Sequence, residues 1–182
     1  MIIQTENTPN PDTLKFLPGK KVSEAGPVQF LKSDKTKKIP LAENILSLKG
    51  TTMVFFGEDF ITVKKEKDLK WNDLKHGIIS EINDYYSQGH EVVLKKSFNK
   101  PTTKPDSNKT VNQIIEILDS KIRPAVARDG GDISFKSFKD GIVTVELKGS
   151  CSGCPSSVMT LKQGVQNLLC HYIPEVKSVE AI

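Results

Sequence analysis

Apolar positions recur along this chain with two periods. In the first half, the runs IIQTE (residues 2–6) and TLKFL (13–17) read as short strands, joined through the turn-rich TPNPD. PLAENILSL (40–48) predicts a short helix, because Pro40 suits a first turn and Gly50 suits the position just past the end. TTMVFFG and FITVKKE flank Gly57-Glu58-Asp59 and predict a hairpin. Trp71, Leu74, Ile78, Ile82 and Tyr85 then recur every three or four positions, which predicts a helix over 71–88 ended by Gly89.

The second half opens with Thr110 as a helix N-cap and Gln113 three residues on, the pattern of a capping box. Val111, Ile114, Ile115, Leu118, Ile122 and Ala125 form one apolar face. Pro124 interrupts it. Lacking an N–H, it removes the bond to the carbonyl of Ser120, so a kink or an early end is expected there. The paired glycines of RDGGD permit a turn with positive φ. ISFKSF and IVTVEL read as strands joined through Asp140-Gly141, a strong hairpin signal. A helix over about 156–173 follows, with Val158, Leu161, Val165, Leu168, Leu169 and Tyr172 on one face, and VKSVEAI suggests a final strand. The element order is α-β-β-α-β. The fold class is α+β: two small mixed domains, 1–96 and 110–182, joined by a linker, SFNKPTTKPDSNK, at 97–109.

Composition narrows the function classes. The chain has 182 residues, 37% apolar and 26% charged, which suits one or two modest cores and argues against wholesale disorder. No stretch approaches the roughly 20 apolar residues that span a bilayer, so no membrane partner is expected. Lys and Arg outnumber Asp and Glu by 15 to 13 in residues 1–96 and by three to one in 97–109, and they balance at eight each in 110–182. A nucleic-acid binder concentrates basic charge on one face, and this distribution points away from one. KSDKTKK, residues 32–38, reads as a solvated loop. The start, MIIQTENTPNPD, shows neither a basic segment followed by an apolar one nor an Arg-rich amphipathic helix, so no presequence is expected. Three cysteines without an export signal point to metal ligands or redox groups rather than a disulfide scaffold.

The chemistry concentrates at GSCSGCPSS. Cys151 and Cys154 form a C-x-x-C between a strand and a helix, in a loop of small residues that lets backbone N–H groups approach sulfur. The helix N-terminus favours thiolate over thiol, and soft thiolates select iron–sulfur clusters, zinc or Cu(I). Three readings stay open on the motif alone: metal or cluster binding, dithiol redox chemistry, and an inert pair. Two ligands are half of the usual four. Cys170-His171 cannot supply the rest, because the helical path from Cys154 to Cys170 covers about 24 Å. Cys170 is expected as a packing residue and His171 as solvated. His76 and His90 belong to the other region. A two-fold pairing of chains would bring Cys151 and Cys154 from each copy around one centre. Such a shared site suits a carrier, since incoming thiolates can replace its ligands stepwise. No G-x-S-x-G, P-loop or H-E-x-x-H pattern suggests an ordinary hydrolase.

RPAVARDGGDI followed by VELKGSCSGCPSSVMTLKQGV resembles the NifU-like C-terminal domain of iron–sulfur cluster biogenesis, over roughly residues 110–180. TENTPNPDTLKFLPG with LAENILSLKGTTMVFFGEDFITV is similar to the N-terminal domain of two-domain Nfu proteins. The resemblance implies a non-enzymatic scaffold or carrier that holds a 4Fe–4S cluster between two C-terminal domains and passes it to apo-proteins. It further implies that Cys151 and Cys154 are the ligands and that the loaded form is a homodimer. The implied partners are iron–sulfur clients and upstream assembly machinery. The DGGD run, Asp129 to Asp132, is expected to be architectural, with carboxylates that cap or pair locally. A thiol–disulfide oxidoreductase is the alternative function. A bacterial cytoplasmic location is expected from the start of the chain, with a processed mitochondrial matrix protein as the alternative.

Overall fold

The computed structural model describes residues 2–34, 39–95 and 109–182. The expected linker lies outside the described residues apart from Lys109, as does the end of KSDKTKK from residue 35. The chain divides into two compact units, Met1–Lys100 and Pro101–Ile182.

In the first unit the described strands are β1 (Gln4–Asn7), β2 (Thr13–Leu17), β3 (Val28–Leu31), β4 (Thr51–Phe56) and β5 (Ile61–Lys65). They form an antiparallel sheet of order β1-β2-β5-β4-β3. Helices α1 (Pro40–Ser47) and α2 (Trp71–Ser87) complete the unit. Period-2 alternation puts Leu14, Phe16, Val54, Phe56, Ile61 and Val63 into one core cluster with Leu41 and Ile45 of α1 and Leu74, Ile78 and Ile82 of α2. The expected strands, hairpin and helices are all present. β3 had no strong pattern of its own in the sequence; it pairs with β4 along its length. On α2 the residue that continues the buried stripe is Tyr86, not Tyr85. The stripe Leu74, Ile78, Ile82 steps by four, and Tyr86 is its next member. Tyr85 lies at the edge of the core, stacked on His90 at 4.3 Å. The TPNPD turn is tied down from several sides. The Asp12 N–H donates to Asn10 Oδ1, Lys65 pairs with Asp12 at 3.2 Å, and the Trp71 ring N–H donates to the Pro11 carbonyl.

The second unit runs α3 (Lys109–Ile117), a π-helical turn (Leu118–Ile122), α4 (Arg123–Arg128), β6 (Gly131–Lys139), β7 (Ile142–Gly149), α5 (Pro155–Tyr172) and β8 (Ser178–Ala181). β6 and β7 form the expected hairpin, and β8 adds to β7 in parallel. Four features differ from expectation. Thr110 lies inside α3 rather than capping it. Pro124 is met not by a simple kink but by a π turn, in which the Arg123 N–H reaches the Leu118 carbonyl, followed by a new helix with the proline in its first turn. The π turn adds a residue to the register, so the core stripe Val111, Ile114, Leu118 continues at Val126, while Ala125 is exposed. Tyr172, expected on the apolar face of α5, is 51% exposed and lies beneath the Lys121 ammonium. Val126, Ile133, Val143, Val145, Leu147, Val165, Leu169 and Val179 form the core of this unit.

The β6–β7 turn places Asp140 at φ 53° and Gly141 at φ 84°, the two left-handed positions of a type I′ turn. A Cβ on Gly141 would stand 2.8 Å from the Lys177 side chain and 3.1 Å from the Glu175 carbonyl oxygen. Gly141→Ala is therefore expected to cost about 1–2 kcal/mol, read as a fall of several degrees in the thermal melt of the intact chain.

Candidate functional site

β7 ends at Gly149, whose φ of 69° turns the chain out of the sheet. Ser152 closes the turn by donating its N–H and its hydroxyl to the Gly149 carbonyl at 3.2 and 2.9 Å. Gly153, at φ 75°, reverses the backbone again, and Cys154 occupies the N-cap of α5 with Pro155 in the first turn. Cys151 is buried, 7% exposed, and joins the core of its unit; Cys154 is half-buried. The pair therefore presents one withdrawn sulfur and one nearer the surface.

The DGGD turn forms the floor of this loop. The Ser150 N–H donates to the Gly130 carbonyl at 3.2 Å, and its hydroxyl donates to the Asp129 carbonyl at 2.5 Å. The two glycines have different tasks. Gly130 supplies the positive φ, at 81°. Gly131 supplies space: a Cβ there would stand 2.7 Å from the Lys148 carbonyl oxygen and 2.8 Å from Cys151 Sγ. The DGGD run is architectural, as expected, and the partner of Asp132 is Arg123. Arg123 Nε donates to Asp132 Oδ1 at 2.9 Å and a terminal nitrogen to Oδ2 at 3.4 Å, while the other terminal nitrogen reaches Asp119 at 3.0 Å. The Arg-Pro and DGGD motifs are thus one structural unit. Neither this link nor the floor beneath Cys151 was read from the sequence; Arg123 and Asp132 lie nine residues apart with a helix between them, and periodicity carries no sign of such a contact.

Burial pushes the Cys151 thiol above the ordinary thiol range. The charges of Asp129 and Asp132 add to it, and the Ser150 hydroxyl stands 3.7 Å from Sγ. The Ser150 hydroxyl has one hydrogen, and the Asp129 carbonyl holds it. The geometry thus leaves the serine oxygen to accept from the thiol, which favours the protonated form. Burial also raises Asp132, against the pull of Arg123.

Cys170 is partly buried against the core of its unit and His171 is exposed. The 18-residue α5 separates them from the C-x-x-C loop. Among the described residues no group of three or more His, Cys, Asp or Glu side chains could hold a metal ion. What the site offers is two soft sulfur donors on one loop, half the set that a tetrahedral metal or an iron–sulfur cluster takes. Among the described residues no helix is long and apolar enough to cross a membrane.

A strand end and a helix N-terminus presenting two thiols from a Gly/Ser loop define a dithiol-loop module, in a chain that also contains a separate α+β unit. The NifU-like domain matches residues 114–180, and the N-terminal domain described as scaffold protein Nfu/NifU matches residues 3–89. The chain is 45% identical over 183 residues to the human protein named NFU1 iron-sulfur cluster scaffold homolog, mitochondrial, a match that covers all of this chain and 72% of that one. It is 46% identical to NifU-like protein 4, mitochondrial, of Arabidopsis thaliana, covering 99% of this chain and 65% of the relative. To the NFU1 homolog of Drosophila persimilis, also named mitochondrial, it is 45% identical, covering 100% and 65%. The chain belongs to the Nfu family of iron–sulfur cluster scaffold proteins. The relatives correct one expectation. A bacterial cytoplasmic location rested on the residues at the start of the chain, whereas these relatives, matched over essentially its whole length, are named as mitochondrial.

The raised thiol gives a prediction with a definite sign. In a Cys154→Ser, Cys170→Ser background, iodoacetamide labelling of Cys151 should rise with a midpoint above the ordinary thiol value of 9.0. The folded state holds this proton more tightly than the unfolded chain. The associated stability is therefore complete below the ordinary thiol pKa and is lost as pH climbs through the raised one. A midpoint at or below the ordinary value would contradict the burial argument.

Proposed function

We propose that this chain is a scaffold and carrier for a 4Fe–4S cluster, with Cys151 and Cys154 of two copies supplying the four sulfurs, and that it delivers the cluster to apo-proteins after receiving it from upstream assembly machinery. The observation that carries this reading is the ligand count: two thiols share one loop, with no further ligand group among the described residues. Membership of the scaffold family supports the iron–sulfur identity of the cargo. On this reading the domains are 1–96 and 110–182 joined by 97–109, the chain is not an enzyme, and its setting is mitochondrial like that of the relatives. Metal binding needs thiolates. Loading therefore expels the Cys151 proton, and rising pH favours it. The dithiol-oxidoreductase alternative needs an accessible thiol of lowered pKa, and burial moves Cys151 in the opposite direction.

Anaerobic reconstitution with iron and sulfide should give about one cluster per two chains. The loaded form should elute as a dimer, with a Mössbauer spectrum of the cubane type. Cys151→Ser or Cys154→Ser should abolish this, and a fully loaded cluster in either variant would overturn the assignment. Metal-free insulin reduction dependent on Cys151 would instead favour the oxidoreductase.

A further inference from the structure

The geometry points to a positioning role for the Arg123–Asp132 ion pair: it holds the turn on which the cysteine loop rests, and so sets how firmly Cys151 is kept in place. In its consequence for cargo the inference builds on the proposed function; its test does not.

Asp132 is 7% exposed. A carboxylate so placed needs a partner, and Arg123 meets both of its oxygens. The pair closes a nine-residue span that contains α4 and the turn at Asp129, Gly130 and Gly131. From that turn three contacts reach the cysteine loop. The Asp129 carbonyl takes the Ser150 hydroxyl, the Gly130 carbonyl takes the Ser150 N–H, and Gly131 lies against Cys151 Sγ. β6 and β7 pair Gly131 with Gly149 at the same level, so the ladder itself begins there. The two residues before the ladder, Asp129 and Gly130, donate their N–H groups to the Ala125 and Ala127 carbonyls of α4, and the Arg123–Asp132 pair adds a side-chain tie between α4 and β6. Arg123 touches neither sulfur. It acts through Asp132 and the turn, which makes both members positioning residues. The fork matters as well as the charge, because a lysine ammonium cannot meet two carboxylate oxygens in the planar geometry of a guanidinium. The contact to Asp119 is the exposed i,i+4 arm of the same arginine, with Asp119 at 52% side-chain exposure, and it leads away from the turn.

Hydrogen exchange of the intact apo-protein tests this without iron. In Arg123→Lys, which keeps the charge and loses the fork, protection of the Ser150 amide should fall about tenfold. That is the scale on which losing one charge-assisted hydrogen bond shifts a local opening. Cys151 should react with N-ethylmaleimide faster by a similar factor, while the Val145 and Leu169 amides and Cys170 keep their wild-type rates. Asp132→Asn should loosen the same amide, and Asp119→Ala should leave it unchanged. Unchanged Ser150 protection in both Arg123→Lys and Asp132→Asn would overturn the proposal. So would simultaneous acceleration at Ser150, Val145, Leu169 and Cys170, which would make the pair a general stabiliser. Failure of Cys151→Ser to abolish cluster loading would sink the proposed function and leave this result standing.

Discussion

The Asp132 side chain is a carboxylate withdrawn from water, and the geometry around the cysteines is built outward from the need to satisfy it. Taking an ionised carboxylate out of solvent costs several kcal/mol or more unless an opposite charge and hydrogen bonds replace the lost water. Arg123 supplies both from the neighbouring helix. Once that pair is formed, the backbone between them has little freedom. Gly130 must turn with positive φ, and the carbonyls of Asp129 and Gly130 are aimed at Ser150. Replacing the pair by apolar residues of similar volume could hold the helix to the sheet equally well. Its specific contribution is directional, because two oxygens facing two nitrogens fix orientation as well as distance.

The two sulfurs then differ by position rather than by chemistry. Cys151 closes the end of a hydrophobic core and meets Gly131 so closely that no side chain fits between them. Cys154 stands where the backbone leaves the loop and enters α5. A thiol held in a core is placed accurately but gives up its proton reluctantly. A thiol at a helix N-terminus sees the favourable end of the backbone dipole. A loop with one of each combines accurate placement with a point of access, which suits cargo that must be both held and surrendered under the proposed function. A closed tetrahedral site within one chain would bind its metal as a permanent part of the fold.

Much of this was legible in the sequence where the signal is local and periodic. Strand alternation, helical stripes and the Asp140-Gly141 turn are decided by near neighbours, and the structure has them where expected apart from Tyr85, Ala125 and Tyr172 on the stripes. The C-x-x-C loop and the separation of Cys170 from it follow from the same local reading plus the length of α5. The failures are of another kind. β3 exists because β4 offers it an edge, and a four-residue strand has too few positions to show alternation. Tyr85 and Tyr86 are adjacent and chemically alike, so only the drift of the stripe over four turns separates them. The second glycine of DGGD looked like turn chemistry, but the reason for it is a sulfur atom 20 residues further along. Contacts of that kind leave no trace in periodicity.

Pro124 joins these observations. With no N–H to donate, it cannot sit in the interior of an unbroken α-helix. The chain responds one turn earlier by slipping its ladder to the π spacing between Leu118 and Arg123. One added residue rotates everything after it by about 100° relative to a regular helix. The apolar stripe therefore moves from Ala125 to Val126, while Ile122 stays packed against the core. Arg123, which opens the new helix, pairs with Asp132 near the start of β6. The proline that reads in the sequence as a defect thus sits in the first turn of the helix from which Arg123 reaches Asp132.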